Sequence, residues 1–489
     1  MAEPWAKDPT RTVAGVDLHV DLSGTRIRAG LETALRDAIQ AGRLRPGTRL
    51  PSSRALAADL GIARNTIAEV YSQLVAEGWL TARTGSGTSV AERRVIDVGS
   101  GPSAPAELAA YRYDLRAGEP DLSAFPRRGW QAAARKALDA APDRLLGYPD
   151  PRGLPRLRTA VADYLARARG VVARPEDVVI CAGFAHGLAV VCRVLHRAGA
   201  TTLAVEAYGH QAHRDVAGHR GLSLRPLPVD RQGAVIADIH GSDAALLTPS
   251  HQFPLGVTLH PQRRREAAAW GGVIIEDDYD GEFRYDRQPV GALQALAPDR
   301  VVYAGTASKS LAPGLRIGWL VVPRRLIDAV TAELDGGPSV LDQLTLADFI
   351  TSGGYDRQVR RARLAYRRRR DRLTSALVGQ GRHVTGIAAG LHVVLELPGT
   401  DAERQAVARA AEHGLAIDGL ERYRAPAVSD DRAGLVIGYG RPPEHAYTTA
   451  LARLCTVLSG TGRPEIVTSS LRGPQVVSRA ACPVVIRDV

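Results

Sequence analysis

The 489-residue sequence has few cysteines, very few lysines and no long apolar run. Its 4 cysteines form neither a paired framework nor a CxxC spacing, so we expect a reduced, cytoplasmic protein without a bound metal. A stretch of about 18 apolar residues is also missing, which argues against a transmembrane helix and a membrane partner. Residues 1–10 lack the apolar core of a secretory signal. The length predicts two or three domains.

Lysine occurs only at Lys7, Lys136 and Lys309, so 60 of the 63 basic residues are arginines. Arginine stays protonated, whereas a lysine amine can lose its proton and attack a carbonyl. Lys309 is therefore the first candidate for amine chemistry. The formal net charge of +11 favours a nucleic-acid partner. Residues 1–90 carry only 11 basic against 9 acidic side chains, so the charge does not identify the DNA-reading segment.

Composition and periodicity divide the chain into five predicted segments. They are an N-terminal arm (1–25), a compact helical segment (26–91), a linker rich in Gly, Pro, Ser and Ala (92–111), a long segment of alternating strands and helices (112–460), and a tail (461–489). Within the fourth segment, the arginine-rich stretch 357–372 is expected to form a solvated helix face, or a surface that pairs with acidic neighbours, rather than a second DNA contact.

The helical segment predicts a winged helix-turn-helix. Apolar residues recur at helical spacing in three short stretches, with Ser52 and Ser53 available to cap the second. Two strand-like pieces follow at 79–83 and 88–90. This order of elements is typical of a winged helix.

The first residues of the third predicted helix are polar: Arg64, Asn65 and Thr66. A recognition helix presents side chains to the major groove at this position, where arginine can bond guanine and asparagine can bond adenine. Three polar residues also open many helices without any such role. The other predicted DNA contacts are Arg54 on phosphate and, in the wing over the minor groove, Arg83 and Gly85.

The strings 50–67 (LPSSRALAADLGIARNTI) and 71–80 (YSQLVAEGWL) closely resemble the GntR family of winged-helix repressors. The resemblance covers about residues 26–90. One departure stands at Ala63, where the family usually has a serine as the cap of the recognition helix. A lost cap costs about 1 kcal/mol, which is too little to abolish the fold.

The segment after residue 112 alternates short β-branched runs with helical stretches, which predicts a mainly parallel sheet covered by helices. Ligands of such sheets bind at the carboxyl ends of the strands. Four predicted strands end in polar or glycine-rich sequences, namely 182–185 (AGFA), 248–256 (TPSHQFPLG), 276–280 (EDDYD) and 305–310 (GTASKS). Each alone is commonly a surface turn or a simple helix cap.

Together these strand ends suit pyridoxal 5′-phosphate (PLP). Lys309 would form the Schiff base, and Asp277 would pair with the protonated pyridine nitrogen. Tyr279 would bond the phenolic oxygen. The dianionic phosphate would be held by Arg316, Thr306, Ser308 and the backbone N–H groups at Gly183 and Phe184.

The segments 148–158 (YPDPRGLPRLR), 248–256, 276–285 (EDDYDGEFRY) and 308–316 (SKSLAPGLR) resemble the MocR-type regulators, which fuse a GntR winged helix to a fold-type I aminotransferase-like domain. This resemblance covers about residues 26–460. It implies a multidomain fold, α+β and α/β: a winged helix, a large α/β domain and a smaller C-terminal α+β subdomain. It also implies a regulator that binds double-stranded operator DNA, senses a small molecule and dimerises, often head to tail, with Tyr148 reaching the partner's phosphate.

Two departures from catalytic aminotransferases leave turnover doubtful. Phe253 stands where the enzymes have an asparagine, and Val436 stands where they have an arginine for the substrate carboxylate. Arg432 lies nearby, but its spacing is wrong, and His210 stands where a stacking tyrosine is expected. An active aminotransferase with a DNA-binding appendage remains the alternative function. A third reading is a cofactor-free binding module.

Overall fold

The computed structural model describes residues 10–13, 16–21, 27–83, 87–92, 111–286 and 290–459. The chain divides into two compact units, Met1–Ala106 and Glu107–Val489. The predicted tail, nearly all of the predicted linker and most of the predicted arm lie outside the described residues, so the segment boundaries stay predictions. None of the helices in the described ranges combines the length and apolar character that a membrane span requires.

The first unit is a winged helix-turn-helix, as predicted. Its described elements are β1 (Thr10–Val13), β2 (Val16–Asp21), α1 (Ile27–Gln40), α2 (Ser53–Leu60), α3 (Arg64–Ala76), β3 (Leu80–Arg83) and β4 (Gly87–Val90). Strands β1 and β2 pair antiparallel, and so do β3 and β4. The apolar faces of the three helices meet in one core that includes Leu31, Leu35, Ile67, Val70 and Leu74.

The ends of α2 and α3 follow the predicted cap chemistry. The Ser52 hydroxyl accepts a hydrogen bond from the Ala55 amide at 3.2 Å, and Gly61 ends α2 in the left-handed region with φ of 67°. Ala63 precedes α3 in an extended conformation and makes no side-chain cap hydrogen bond. The first turn of α3 therefore lacks the side-chain hydrogen bond that satisfies a backbone amide at the start of α2.

The second unit is built on a seven-stranded sheet. Its strand order is β6-β14-β13-β12-β11-β7-β8, and only β14 runs antiparallel to its neighbours. The strands are β6 (Val178–Cys181), β7 (Thr202–Glu206), β8 (Ser223–Leu227), β11 (Ala244–Leu247), β12 (Val273–Asp277), β13 (Val301–Thr306) and β14 (Gly318–Val321). Nearly every residue of the central strands is buried, because the sheet carries apolar residues on both faces.

Helices cover this sheet, and short strands flank it. The helices are α4 (Arg127–Asp139), α5 (Pro155–Arg169), α6 (Phe184–Arg197), α7 (Gln211–Gly218), α8 (Pro261–Ala269), α9 (Ile327–Ala332) and α10 (Val340–Thr351). The flanking strands are β5 (Tyr113–Asp114), β9 (Val229–Asp230) and β10 (Gly233–Ala234). The prediction of a mainly parallel α/β domain is confirmed.

A smaller α+β subdomain follows. A four-stranded antiparallel sheet has the order β15-β16-β19-β18, with β15 (Val384–Thr385), β16 (His392–Leu397), β18 (Asp418–Gly419) and β19 (Ala433–Gly438). Strand β17 (Leu415–Ala416) pairs parallel with β5. The helices are α11 (Gly354–Gly379), α12 (Thr400–Glu412) and α13 (Glu444–Ser459).

One arginine of the arginine-rich stretch departs from the predicted surface position. The stretch forms the middle of α11, and Arg369 is buried there. Its guanidinium lies 2.8 Å from both Asp121 and Glu444 and donates to the carbonyl of Pro442 at 2.8 Å. The prediction is wrong for this residue because a buried charge is tolerated where carboxylates and carbonyls surround it.

Exchanging a cap residue should change the stability of the first unit in a predictable direction. Ala63→Ser should stabilise it by about 1 kcal/mol, because a serine there can accept a bond from the first turn of α3. The matched variant Ser52→Ala should destabilise it by about the same amount. Calorimetry of the full chain would record both shifts in the unfolding midpoint of this unit. A loss of stability in Ala63→Ser would contradict the cap assignment.

Candidate functional site

A cavity of about 370 Å³ lies at the carboxyl edge of the seven-stranded sheet. Strands β6, β7, β11, β12 and β13 all run toward this edge because β14 alone is reversed. The predicted site residues that line the cavity are Gly183, Phe184, Asp277, Tyr279, Thr306, Ser308, Lys309 and Arg316. Residues that are far apart in the sequence therefore line one cavity.

Lys309 is the amine of this cavity and is partly buried, and Asp277 is one of its buried carboxyl groups. Asp277 ends β12 opposite Ala304 on β13, and Lys309 follows β13 by three residues. Lys309 Nζ donates to the carbonyl oxygen of Gly118 at 2.5 Å. Burial lowers the pKa of Lys309, and burial raises the pKa of Asp277 well above its usual value while the Lys309 charge opposes that rise. A lowered pKa favours the neutral form of the amine, which is its nucleophilic form.

An anion cradle occupies another wall of the cavity. Gly183 has φ of 85° and precedes the first turn of α6, so its neighbours present backbone N–H groups there. A side chain at Gly183 would place Cβ 3.6 Å from the guanidinium of Arg316. The hydroxyls of Thr306 and Ser308 lie 2.8 Å apart on the same wall. A cation, two hydroxyls and a helix N-terminus are a suitable donor set for a phosphate.

Aromatic side chains form the remaining wall. His210 stacks on Phe253 with ring centroids 4.1 Å apart and an interplanar angle of 14°. His213 packs against Phe184 at 4.7 Å. Burial lowers the pKa of His210 well below its usual value and that of His213 to about 4. Both imidazoles are therefore neutral at physiological pH, and they offer flat, uncharged surfaces.

Tyr148 is the one predicted cofactor residue that the structure does not bring to this cavity. Its side chain is fully exposed, between a short 3-10 turn and α5. The resemblance to the MocR-type regulators implies that Tyr148 reaches the phosphate of a partner subunit, and that role stays a prediction.

Sequence reasoning missed several residues of the cavity. Glu119 and Arg441 line it and pair with each other at 2.8 Å, and Arg214 and His213 also face it. Glu119 precedes a proline in the loop after β5, and Arg441 follows β19, so no local motif connects them. Of these residues, only His213 could have been found from the sequence, because it stands one helical turn after His210.

Val436 stands where the enzymes have an arginine for the substrate carboxylate, and Arg432 lies nearby in the sequence. Neither residue lines the cavity. Val436 is buried in β19. Arg432 pairs with Asp430 and lies over the Tyr208 ring at 4.9 Å. A direct arginine clamp for a substrate carboxylate is therefore lacking at both positions.

The candidate DNA-reading surface lies on the first unit. Arg64 and Asn65 are exposed and Thr66 is half-buried at the start of α3, and Arg54 is exposed on α2. Arg83 is exposed at the end of β3, whereas Gly85 lies outside the described residues. The first turn of the recognition helix is thus open to a ligand.

The fold and the site define a class of protein: a winged-helix DNA-binding unit followed by a fold-type I aminotransferase-like domain. The family model for class I and II aminotransferases matches residues 113–428, and that for bacterial regulatory proteins of the gntR family matches residues 28–90. PLP dependence is a property of the aminotransferase family, and the GntR domain implies DNA binding.

Full-length regulators are similar to this chain. The pyridoxine biosynthesis regulator PdxR of Corynebacterium glutamicum is 31% identical over 89% of this chain and 96% of its own length. The probable rhizopine catabolism regulatory protein MocR of Rhizobium meliloti is 36% identical over 68% of this chain and 74% of its own length. The chain belongs to the MocR-type regulators of the GntR family.

Solved structures of aminotransferases share the fold of the second unit. The kynurenine aminotransferase of Pyrococcus horikoshii superposes with a TM-score of 0.64, covering 72% of this chain and 92% of the enzyme. An archaeal alanine:glyoxylate aminotransferase gives a TM-score of 0.65 over the same shares of the two chains. Their sequence identities of 23% and 24% show the fold alone.

Glu206 should make the stability of the second unit pH-dependent. Burial raises its pKa from 4.5 to about 7, although Thr248 and Gln252 donate hydrogen bonds to it. The protonated carboxyl therefore stabilises the folded state below its ordinary pKa, and this contribution is lost as the pH rises through about 7.

We expect Glu206→Gln to raise the free energy of unfolding by about 2 kcal/mol at about pH 8 and to change it much less at about pH 5. Calorimetry of both proteins at the two pH values measures the difference, and other buried carboxyl groups cancel in the comparison. Identical pH profiles for the two proteins would refute the assignment.

Proposed function

We propose that this protein is a transcription regulator that binds an operator through its winged helix and carries PLP on a Schiff base at Lys309. Its aminotransferase-like domain senses a small molecule, either PLP itself or an amino compound. The observation that supports this proposal is the meeting of Lys309, Asp277 and the anion cradle in one cavity of a chain that also carries a recognition helix. A regulator of this kind works in the cytoplasm, where its operator is.

The donor set fits the three functional parts of PLP. The partly buried amine of Lys309 faces the cavity for the aldehyde, the buried carboxyl group of Asp277 for the pyridine nitrogen, and the cradle at Gly183 and Arg316 for the phosphate. When bound, PLP supplies an electrophilic carbonyl joined to an electron-withdrawing ring. Asp277 would keep a proton on the ring nitrogen, and the flat face of His210 would lie beside the ring.

The cavity residues support binding of PLP without efficient transamination of an amino acid. The Lys309 and Asp277 pair would also serve an aminotransferase, which is the alternative function. Val436, however, offers no cation to a substrate carboxylate, and Arg441 is already paired with Glu119 and Asp114. An amino acid held by fewer contacts is oriented poorly for reaction.

The exposure of Tyr148 supports a dimer in which each subunit completes the other's phosphate site. Two winged helices in such a dimer would read two half-sites. An effector changes operator binding only if its affinity differs between two states of the dimer. The relatives are named for regulators of different pathways, pyridoxine biosynthesis and rhizopine catabolism, so the effector is not inherited from the fold.

Replacing Lys309 should separate cofactor binding from folding. We expect Lys309→Ala to abolish the yellow PLP adduct and borohydride labelling while the unfolding midpoint stays within a few degrees of the wild type. DNase footprinting of the protein's own promoter should then respond to PLP in the wild type and not in this variant. Absence of any protected site, or equal responses of the two proteins, would contradict the proposal. Rapid, saturable half-transamination of an amino acid would favour the enzyme.

Removing a side chain from the recognition helix should weaken operator binding. Arg64→Ala should weaken specific binding by about 1–3 kcal/mol, because arginine at this position is placed to bond a guanine edge. Arg265→Ala is the matched control, since it removes the same charge from the exposed face of α8 in the second unit. Affinity is measured by electrophoretic mobility shift at one salt concentration. Equal affinities of the two variants would refute the docking.

A further inference from the structure

Behind the cavity wall, Tyr279 contacts a buried pair that the proposed function does not use. His251 Nδ1 lies 2.8 Å from Asp280 Oδ2 and 3.0 Å from the Tyr279 hydroxyl oxygen. His251 and Asp280 are each only 3% exposed. Tyr279 lines the cavity. The three polar groups therefore form a cluster with one member facing the ligand site, which we call the tyrosine relay.

The sheet register brings this relay together. His251 follows β11, and Tyr279 and Asp280 follow β12, the neighbouring strand. Gly390 has a φ of 71° and lies in the small subdomain just before β16. Its backbone packs against the relay. A methyl group at Gly390 would overlap the imidazole of His251 and the carboxylate of Asp280. The imidazole is thus held in place from both subdomains.

The donors and acceptors of the relay indicate where the protons of His251 and Tyr279 lie. A carboxylate oxygen accepts hydrogen bonds, so the 2.8 Å contact with Asp280 Oδ2 favours the His251 tautomer that carries its proton on Nδ1. The Tyr279 oxygen lies within reach of that same N–H and can accept a second branch of the bond. A hydroxyl that accepts a hydrogen bond becomes a stronger donor through its own proton. Burial, the charges of Asp280 and Asp277 and a hydrogen bond to Asp280 raise the pKa of Tyr279 well above its usual value, so the hydroxyl keeps its proton.

The neighbouring histidine does not compete for this position. His392 packs 5.2 Å from the His251 ring, but its Nε2 is 2.9 Å from the carbonyl oxygen of Pro254. Burial lowers the pKa of His392 to about 3, so it is neutral beside the relay. His251 is the imidazole that contacts Tyr279.

We propose that His251 and Asp280 are positioning residues that hold the Tyr279 hydroxyl as a hydrogen-bond donor toward the phenolic oxygen of PLP. This inference rests on the proposed function, because it requires PLP in the cavity. It extends the site to two residues outside the cavity wall and makes the electronic state of the bound cofactor depend on a contact with the small subdomain.

The test compares PLP-loaded proteins by affinity and absorption spectrum at one fixed pH. His251→Leu should weaken PLP binding about tenfold, as expected for the loss of a hydrogen bond to a charged group, and should move absorbance from the visible to the near-ultraviolet band. Tyr279→Phe should do the same. His251→Asn should restore most of the wild-type spectrum, because its amide N–H can replace Nδ1–H. His383→Leu, on an exposed histidine paired with Glu396, is the control and should change neither quantity.

A double-mutant cycle distinguishes the relay from a purely structural pair. The double variant His251→Leu/Tyr279→Phe should match Tyr279→Phe alone, because His251 acts through the hydroxyl. Additive effects, or a wild-type spectrum in His251→Leu, would overturn the inference. If His251→Leu does not fold, Asp280→Asn serves instead and should shift the spectrum in the same direction; an unshifted spectrum would overturn it. A wild-type protein that neither binds PLP nor is labelled by borohydride would instead refute the proposed function.

Discussion

The parallel register of β11, β12 and β13 is the constraint on which the site depends. Because these strands are hydrogen-bonded side by side and run in one direction, the residues that follow them meet at one edge. Asp277, Lys309 and His251 reach the cavity region by this route. The reversed strand β14 lies between β13 and β6, so the turn at Gly183 is brought to the same edge as Lys309. Shifting the register of one strand by one residue would turn its side chains to the opposite face.

A second constraint is the buried charge of Arg369. Its guanidinium connects α11 to Asp121 and to the carbonyls that follow β19, and Tyr447 donates to its backbone carbonyl at 2.7 Å. A buried arginine without such partners would be strongly destabilising, so the surrounding loops are fixed by the requirement to satisfy it. These loops also carry Glu119 and Arg441 into the cavity. The small subdomain thereby contributes to the ligand site, through this network and through the contact at Gly390.

Each of the two units has its own hydrophobic core, so DNA reading and ligand binding are built independently. In the proposed regulator, an effector would change operator binding only by favouring one of two states of the protein. The cavity holds the donors expected for PLP, and Val436 stands where the enzymes have an arginine for the substrate carboxylate.

The sequence by itself determined the local features. Helical periodicity, a cap at Ser52 and buried strands followed by AGFA, EDDYD and GTASKS were sufficient to predict both units and eight residues that face the cavity. Each of these features depends on neighbours within about one helical turn or strand end. Only the tertiary structure showed that Arg369 is buried, that Glu119 pairs with Arg441, and that His251 contacts Tyr279 and Asp280. These contacts join residues from separate loops, and whether a charge is solvated or buried depends on what packs around it, which no local pattern encodes.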